Sequence, residues 1–415
     1  MYIGNIAQVG SLALAGAGVC GPIVTMLGSV AFWVGVGGSP LISIRMGEGR
    51  QEEARRVLAN CFLLLTCLAL ALTGLAYATR RPALLLFGAS PETLPYAMDY
   101  YSYYLTGTVF ALLSTGMNQF IICQGFAKKG MQSVMLGAVL NIILDPVFIF
   151  LLDLGVKGAA IATVLSQCVS ATLTVLCLVK SDGMCHLDLR RLHFRMDKFL
   201  RIMQVGLPAG MQSVIFNISN VLIQSSVNSF GAVTVAGNTA AANIEGFVYI
   251  SMNALYQTSI SFTSQNLGAK QYDRAKKGAR FGILCSITIA ELIGFVIYAA
   301  APTLIAAFNS DPAVVHYGVM QARTIALFYF LLAFSHCIAA VLRGSGHAAV
   351  PMVVMLCVWC LFRVSYITVT VRLIPDIRVI FWAYPLTWSI SSVIFLYLFL
   401  KGKWVYGFEK GGKQR

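Results

Sequence analysis

The sequence predicts an all-α polytopic membrane protein made of two parallel six-helix repeats, with about eleven full spans inside its 415 residues. Composition is the first reason. Apolar residues make up 58% of the chain and charged ones 11%, and Val57 to Ala78 runs without a single charge, which suits hydrocarbon and not a soluble fold of this size. The second reason is an internal repeat. Gly10, Ala15, Gly47, Ala54, Phe87, Pro91, Tyr96, Gly125 and Met131 recur without a gap, 221 residues on, as Gly231, Ala236, Gly268, Ala275, Phe308, Pro312, Tyr317, Gly346 and Met352. These identities fall on loop glycines, a Phe-x-x-x-Pro and a Gly-x-x-x-x-x-x-Ala spacing, where chance matches among apolar residues would not concentrate. The third reason is charge placement, taken up below.

Windows of about 20 apolar residues place the spans in order. The first half holds helices near 10–44, 55–79, 95–124, 130–152 and 157–180. The first of these is roughly 52 Å long at 1.5 Å per residue, so it is expected to tilt, to bend at Pro22 or Pro40, or to project from the bilayer. The second half holds helices near 199–228, 233–264, 279–302, 315–342, 349–372 and 379–401. By the repeat, the counterpart of Gly206–Asn228 falls mostly before residue 1, so the first half is expected to lack most of its first helix. The expected division is an N-terminal lobe 1–180, a hydrophilic cytoplasmic linker 181–197, a C-terminal lobe 198–402 and a basic cytoplasmic tail 403–415. Six helices per repeat return the chain to its starting side, so the repeats are parallel and a cleft between two bundles is expected.

The net charge of +14 raises the question of a nucleic-acid partner, and its distribution answers it. With loops assigned alternately, one side carries the basic residues of 45–56, 128–129, 180–201, 270–280, Arg343 and the tail. The other side carries only Arg80, Arg81, Lys157, Arg372 and Arg378, while Arg323 and Arg363 lie within spans. This is the positive-inside pattern of a plasma-membrane protein, which puts the first set in the cytoplasm and leaves no nucleic-acid footprint. The eleven cysteines lie mostly in apolar spans, and the five histidines form no ligand cluster, so neither a disulfide framework nor a metal is expected. No cofactor motif and no nucleophile-base set appears, so the chain does not read as an enzyme.

Polar residues inside spans mark the candidate pathway, since each is costly in hydrocarbon unless paired or wetted. Ser213, Asn217, Asn220 and Gln224 share one helix face with Gln212 beside it; such a stripe either joins helices by hydrogen bonds or lines a pathway. Asn238, Glu245, Tyr249, Met252 and Tyr256 form a second stripe. Glu245, in a run as apolar as Thr239 to Leu255, is suited to carry a proton or bind an organic cation, or else to a permanently protonated bond with a neighbouring helix. Asn141 and Asp145 are four residues apart, followed by Pro146. Carbonyls freed by the proline and a carboxylate suit a cation site, or Asp145 satisfies a kinked helix. His336 stands on an apolar face, as a titrating group or as a packing residue.

The segments GGSPLISIRMGEGRQEEARRVLANC, LFGASPETLPYA, NIILDPVFIF, VKGAAIATVLSQ, GLPAGMQSVIFNISNVLIQSSVNSFG, AGNTAAANIEGFVYISMNA and SQNLGAKQYDRAKKG resemble the multidrug and toxic compound extrusion (MATE) family, most closely its bacterial MepA-like branch. The resemblance spans nearly the whole chain. It implies a twelve-helix secondary transporter of two lobes that exports drugs or metabolites, often cationic, in exchange for sodium ions or protons, as a monomer in the bacterial plasma membrane. Glu245, the Asn141/Asp145 pair, and Gln212, Asn217 and Asn220 match the branch's own pattern. Two departures go with it. DinF-like members place a coupling Asp in the first helix, the one expected to be missing. NorM-like members carry a Glu about ten residues after the Gly-Leu-Pro of the seventh helix, where this chain has Phe216 and Asn217. Two rivals are a lipid-linked saccharide flippase, whose cleft needs a strongly cationic lining, and a truncated membrane protein without transport.

Overall fold

In a computed structural model the described residues are Ile3, Ile6, 10–180, 185–189, 192–401 and 403–406, and all their regular structure is helical. The chain divides into two compact units, Met1–Gly210 and Met211–Arg415. The first contains α1 (Gly10–Gly47), α2 (Gln51–Ala78), α3 (Arg80–Leu86), α4 (Leu94–Thr106), α5 (Thr108–Cys123), α6 (Ala127–Pro146), α7 (Gly155–Val179) and the start of α8 (Met196–Asn228). The second contains the rest of α8, then α9 (Ala232–Gly268), α10 (Tyr272–Ala306), α11 (Pro312–Ala326), α12 (Tyr329–Gly344), α13 (Ala349–Met355), α14 (Arg363–Leu373) and α15 (Arg378–Leu400). Seven helical segments are long and apolar enough to cross a membrane, or nine with two bent pairs counted as one span each. The remaining two of the eleven expected spans are α8 and α9, 33 and 37 residues long. They are long enough to span and carry the polar stripes, which lower their hydropathy.

In the first unit, Ala31, Val34 and Ile42 of α1 pack with Leu58, Cys61 and Leu65 of α2 and with Met117 and Phe120 of α5. α1 is one helix with Pro22 and Pro40 inside it. Lipid tails are as apolar as leucine, so close contact rather than apolar burial favours helix association here. Gly16 shows the device: a Cβ there would stand 2.9 Å from the Thr93 carbonyl oxygen and 3.0 Å from the Ala97 nitrogen, so the missing side chain is what lets α1 touch α4. Pro146, whose nitrogen donates no bond and whose ring displaces the carbonyl four residues back, ends α6, and the chain continues as a π-helical turn, Val147–Leu151. The segment 181–197 is more closely held than its polarity suggests. Cys185 and Leu187 are buried in the core of this unit, Asn60 Oδ1 accepts from the Arg195 amide at 2.8 Å, and Asn60 Nδ2 donates to the His193 carbonyl at 3.4 Å. Residues 181–184, 190 and 191 of that segment lie outside the described residues.

The second unit repeats the first in detail. α4 and α5 meet at 56° across Gly107, and α11 and α12 meet at 54° across Leu327 and Phe328, the same place after the offset of 221. A Cβ on Gly237, the partner of Gly16, would stand 2.7 Å from the Val314 carbonyl oxygen and 2.8 Å from the Gly318 nitrogen. The turns after the equivalent helices α1 and α9 have positive φ, +73° at Gly49 and +57° at Lys270, so the backbone shape is kept where the glycine is not. α13 and α14 are joined by a π-helical stretch, Leu356–Phe362, in the span equivalent to α6. The core of this unit centres on Trp359, Trp388, Leu332, Ile338 and Phe395. Of the tail, Trp404 donates to the Phe399 carbonyl at 3.2 Å and stacks on that ring, while 407–415 lie outside the described residues.

Candidate functional site

Two polar clusters stand inside helices, one in each unit. In the first, Asn141 Nδ2 donates to Asp145 Oδ1 at 3.2 Å and to Thr163 Oγ1 of α7 at 3.4 Å. Thr163 in turn donates to the Ala159 carbonyl at 2.9 Å. A spacing of four puts Asn141 and Asp145 on one face of α6, and both are half-buried. The cluster is small, with one carboxylate and one amide beside the proline break.

The second cluster is larger and forms where α8, α9, α12 and the π-helical stretch meet. Tyr249 and Tyr256 stand two turns apart on α9, and both rings lie edge-on to the His336 imidazole, with centroids 6.2 Å away in each case. Trp359 closes the third side at 5.3 Å, held by a 2.9 Å bond from its indole nitrogen to Ser391. His336 Nε2 is buried without a hydrogen-bond partner among the described residues. Two turns further along α12, Arg343 donates from Nη1 to the Tyr256 hydroxyl and from Nη2 to Gln212 Oε1. Gln212 Nε2 points at Met355 Sδ, 2.8 Å away.

A second arginine completes this cluster. Arg363 donates from Nε and Nη2 to Thr387 Oγ1 at 3.0 and 2.6 Å and lies over the rings of Tyr384 at 4.5 Å and Trp359 at 5.6 Å. It is within electrostatic reach of Glu245 and Tyr249. Glu245 Oε1 is buried and has no hydrogen-bond partner among the described residues. Arg343 and Arg363 are 4% and 3% exposed, and neither forms an ion pair among the described residues. An arginine held by hydroxyl and amide oxygens alone is a charge taken from water without a counter-charge, which is costly.

Of the residues singled out from sequence, Gln212, Glu245, Tyr249 and His336 fall in this second cluster. Asn141 and Asp145 form their own in the first unit. Asn217 is exposed and donates to the Ser213 carbonyl of its own helix at 2.9 Å, Asn220 is exposed, and Asn238 is half-buried near the start of α9. No hydrogen bond described here links these three to Glu245. Sequence reasoning missed Arg343, which it assigned to a cytoplasmic loop. The apolar window ends at Leu342 and excluded it, although a spacing of seven from His336 puts it on the same face two turns on.

A family model described as MatE matches residues 2–147 and 208–368. The chain belongs to the MatE family. It is therefore a multi-pass membrane protein of the MATE efflux transporters, and its helices are long and apolar enough for that. Among similar proteins, the FAD transporter of Shewanella oneidensis is 28% identical over 319 residues, 75% of this chain and 70% of the relative. The multidrug export protein MepA of Staphylococcus saprophyticus is 22% identical, over 80% of this MatE chain and 74% of its own. Among solved structures, an outward-facing multidrug resistance MATE transporter of the MOP superfamily matches with a TM-score of 0.89 at 22% identity, covering 99% of this chain and 91% of the other.

Proposed function

We propose that this protein is a secondary antiporter of the bacterial plasma membrane that expels a small drug-like molecule in exchange for protons or sodium ions, working as a monomer by alternating access between two lobes. The observation that carries the coupling is Glu245. It is the one carboxylate of the second cluster among the described residues, its Oε1 has no hydrogen-bond partner there, and the Arg363 guanidinium acts on it electrostatically. A proton or a sodium ion on Glu245 changes how much of the Arg363 charge is compensated. Such a change drives transport when the two facings of the protein bind the ion with different affinity. Asn141 and Asp145 are the competing ion site, while Gln212, Tyr249 and His336 line the cargo's route. Asn217, Asn220 and Asn238 belong to the same route at its wetter ends. The names of the relatives leave two cargo classes open, a flavin nucleotide and multidrug substrates.

Substituting Glu245→Gln keeps size and removes the ionisable group. We expect this variant to reach the membrane in normal amounts and to lose ion-driven efflux, measured as dye accumulation inside everted vesicles under an imposed proton or sodium gradient, while Asp145→Asn retains it. Parental efflux by Glu245→Gln together with an inactive, folded Asp145→Asn would move coupling to the first unit.

A further inference from the structure

Resting on the reading of the protein as an exporter, we infer that the second unit recognises a soluble aromatic molecule bearing an oxyanion, with Arg343 as the group that holds the negative charge. Arg343 is buried, and its partners, the Tyr256 hydroxyl and Gln212 Oε1, are neutral. Its Nε has no partner among the described residues. A clamp that served only to join α8, α9 and α12 would leave a full charge desolvated and uncompensated, and a neutral side chain would join them at lower cost. A planar guanidinium with a free donor suits a carboxylate or phosphate, which it binds in a fork.

The surroundings specify the rest of the cargo. From Arg343 the cluster continues along α12 to the rings of His336, Tyr249, Tyr256 and Trp359, of which His336 and Tyr249, not covered by a guanidinium among the described residues, offer edges and faces to a flat apolar body. An organic cation, the cargo expected from Glu245 alone, meets two fixed positive charges here against one negative, and the faces of Tyr256, Trp359 and Tyr384 are already covered by Arg343 and Arg363. The same two arginines also supply part of the cationic lining that a lipid-linked saccharide flippase needs, since Arg343 belongs to a helix and not to a loop. The dense ring lining favours an aromatic body over a polyprenyl one.

Fluorescein and rhodamine 6G share a xanthene ring system and carry opposite charge, so they serve as the probes. With the full chain in lipid nanodiscs and no ion gradient, fluorescence anisotropy is expected to show tighter binding of fluorescein. Arg343→Gln should weaken that binding roughly ten- to a hundredfold, the range for a lost hydrogen bond to a charged group. On the parent protein, which needs no variant to fold, 1-naphthyl phosphate should displace fluorescein and neutral 1-naphthol should not. Tighter binding of rhodamine 6G, or unchanged fluorescein affinity in a folded Arg343→Gln, overturns the inference. Displacement by a polyprenyl diphosphate but not by naphthyl phosphate overturns it in favour of a lipid cargo. Equilibrium binding is read without a gradient, so its outcome is independent of whether Glu245→Gln abolishes driven efflux.

Discussion

Lys270 occupies a left-handed backbone position, φ +57°, where the other repeat has Gly49 at +73°. A side chain in that region costs about 1–2 kcal/mol, set against the extra freedom that glycine has in the unfolded chain. We therefore expect Lys270→Gly to stabilise the protein by up to about 1 kcal/mol, seen as a small rise in the thermal melting temperature in detergent; a fall would show that the Lys270 side chain does more than its backbone costs. At this scale the sequence was partly legible. Glu245, Gln212, Tyr249 and His336 stood out because polar groups in apolar runs are conspicuous. Arg343 did not, because a basic residue one position beyond an apolar window looks the same as a loop residue until the helix is seen to continue through it to Gly344.

Among the elements, all eleven apolar windows coincide with a helix or a bent pair of helices, with ends a few residues apart. The two bends did not show. Gly107 and the Leu327–Phe328 pair sit in stretches as apolar as their flanks, so no change of period marks them, and only the packing that bends the chain there reveals them. A Cβ on Gly107 would stand 2.5 Å from Val164 Cγ2, which makes that glycine part of the contact between α7 and the bend. The repeat also makes a prediction. Gly16→Ala and Gly237→Ala place a methyl against backbone atoms that cannot move aside, Thr93 and Ala97 in one unit and Val314 and Gly318 in the other. Each should cost about 1–3 kcal/mol, as overpacking does, and lower the melting temperature. Gly18→Ala, with open space at its Cβ, is the control and should hold the melting temperature or raise it slightly, since alanine favours the helix over glycine.

For the whole molecule, the basic loops predict the sidedness. Cys185, in the stretch expected to be the cytoplasmic linker, is fully buried and cannot report that face to a reagent. In a protein stripped of its eleven cysteines, Lys277→Cys, at an exposed site on the basic side, should react with an impermeant thiol reagent only after cells are permeabilised, and Glu92→Cys should react in intact cells. The reverse pattern would invert the topology. The repeat was legible because its identities fall on turns. The burial of 185–187 and the docking of 193–195 on Asn60 were not, since a stretch rich in Arg, His and Asp reads as solvated whether or not its few apolar residues turn inward.

Met355, whose sulfur lies 2.8 Å from Gln212 Nε2, stands one side chain away from the unpaired charge of Arg343. If that charge waits for a travelling counter-ion, one fixed to the chain should satisfy it permanently. Met355→Glu would then act as a tethered plug, more resistant to heat than the parent and blind to fluorescein. A less stable protein that binds the dye as before would mean that the guanidinium is closed to any anion. On that reading, the same uncompensated charge that recognises the cargo is the place where one internal carboxylate would block it.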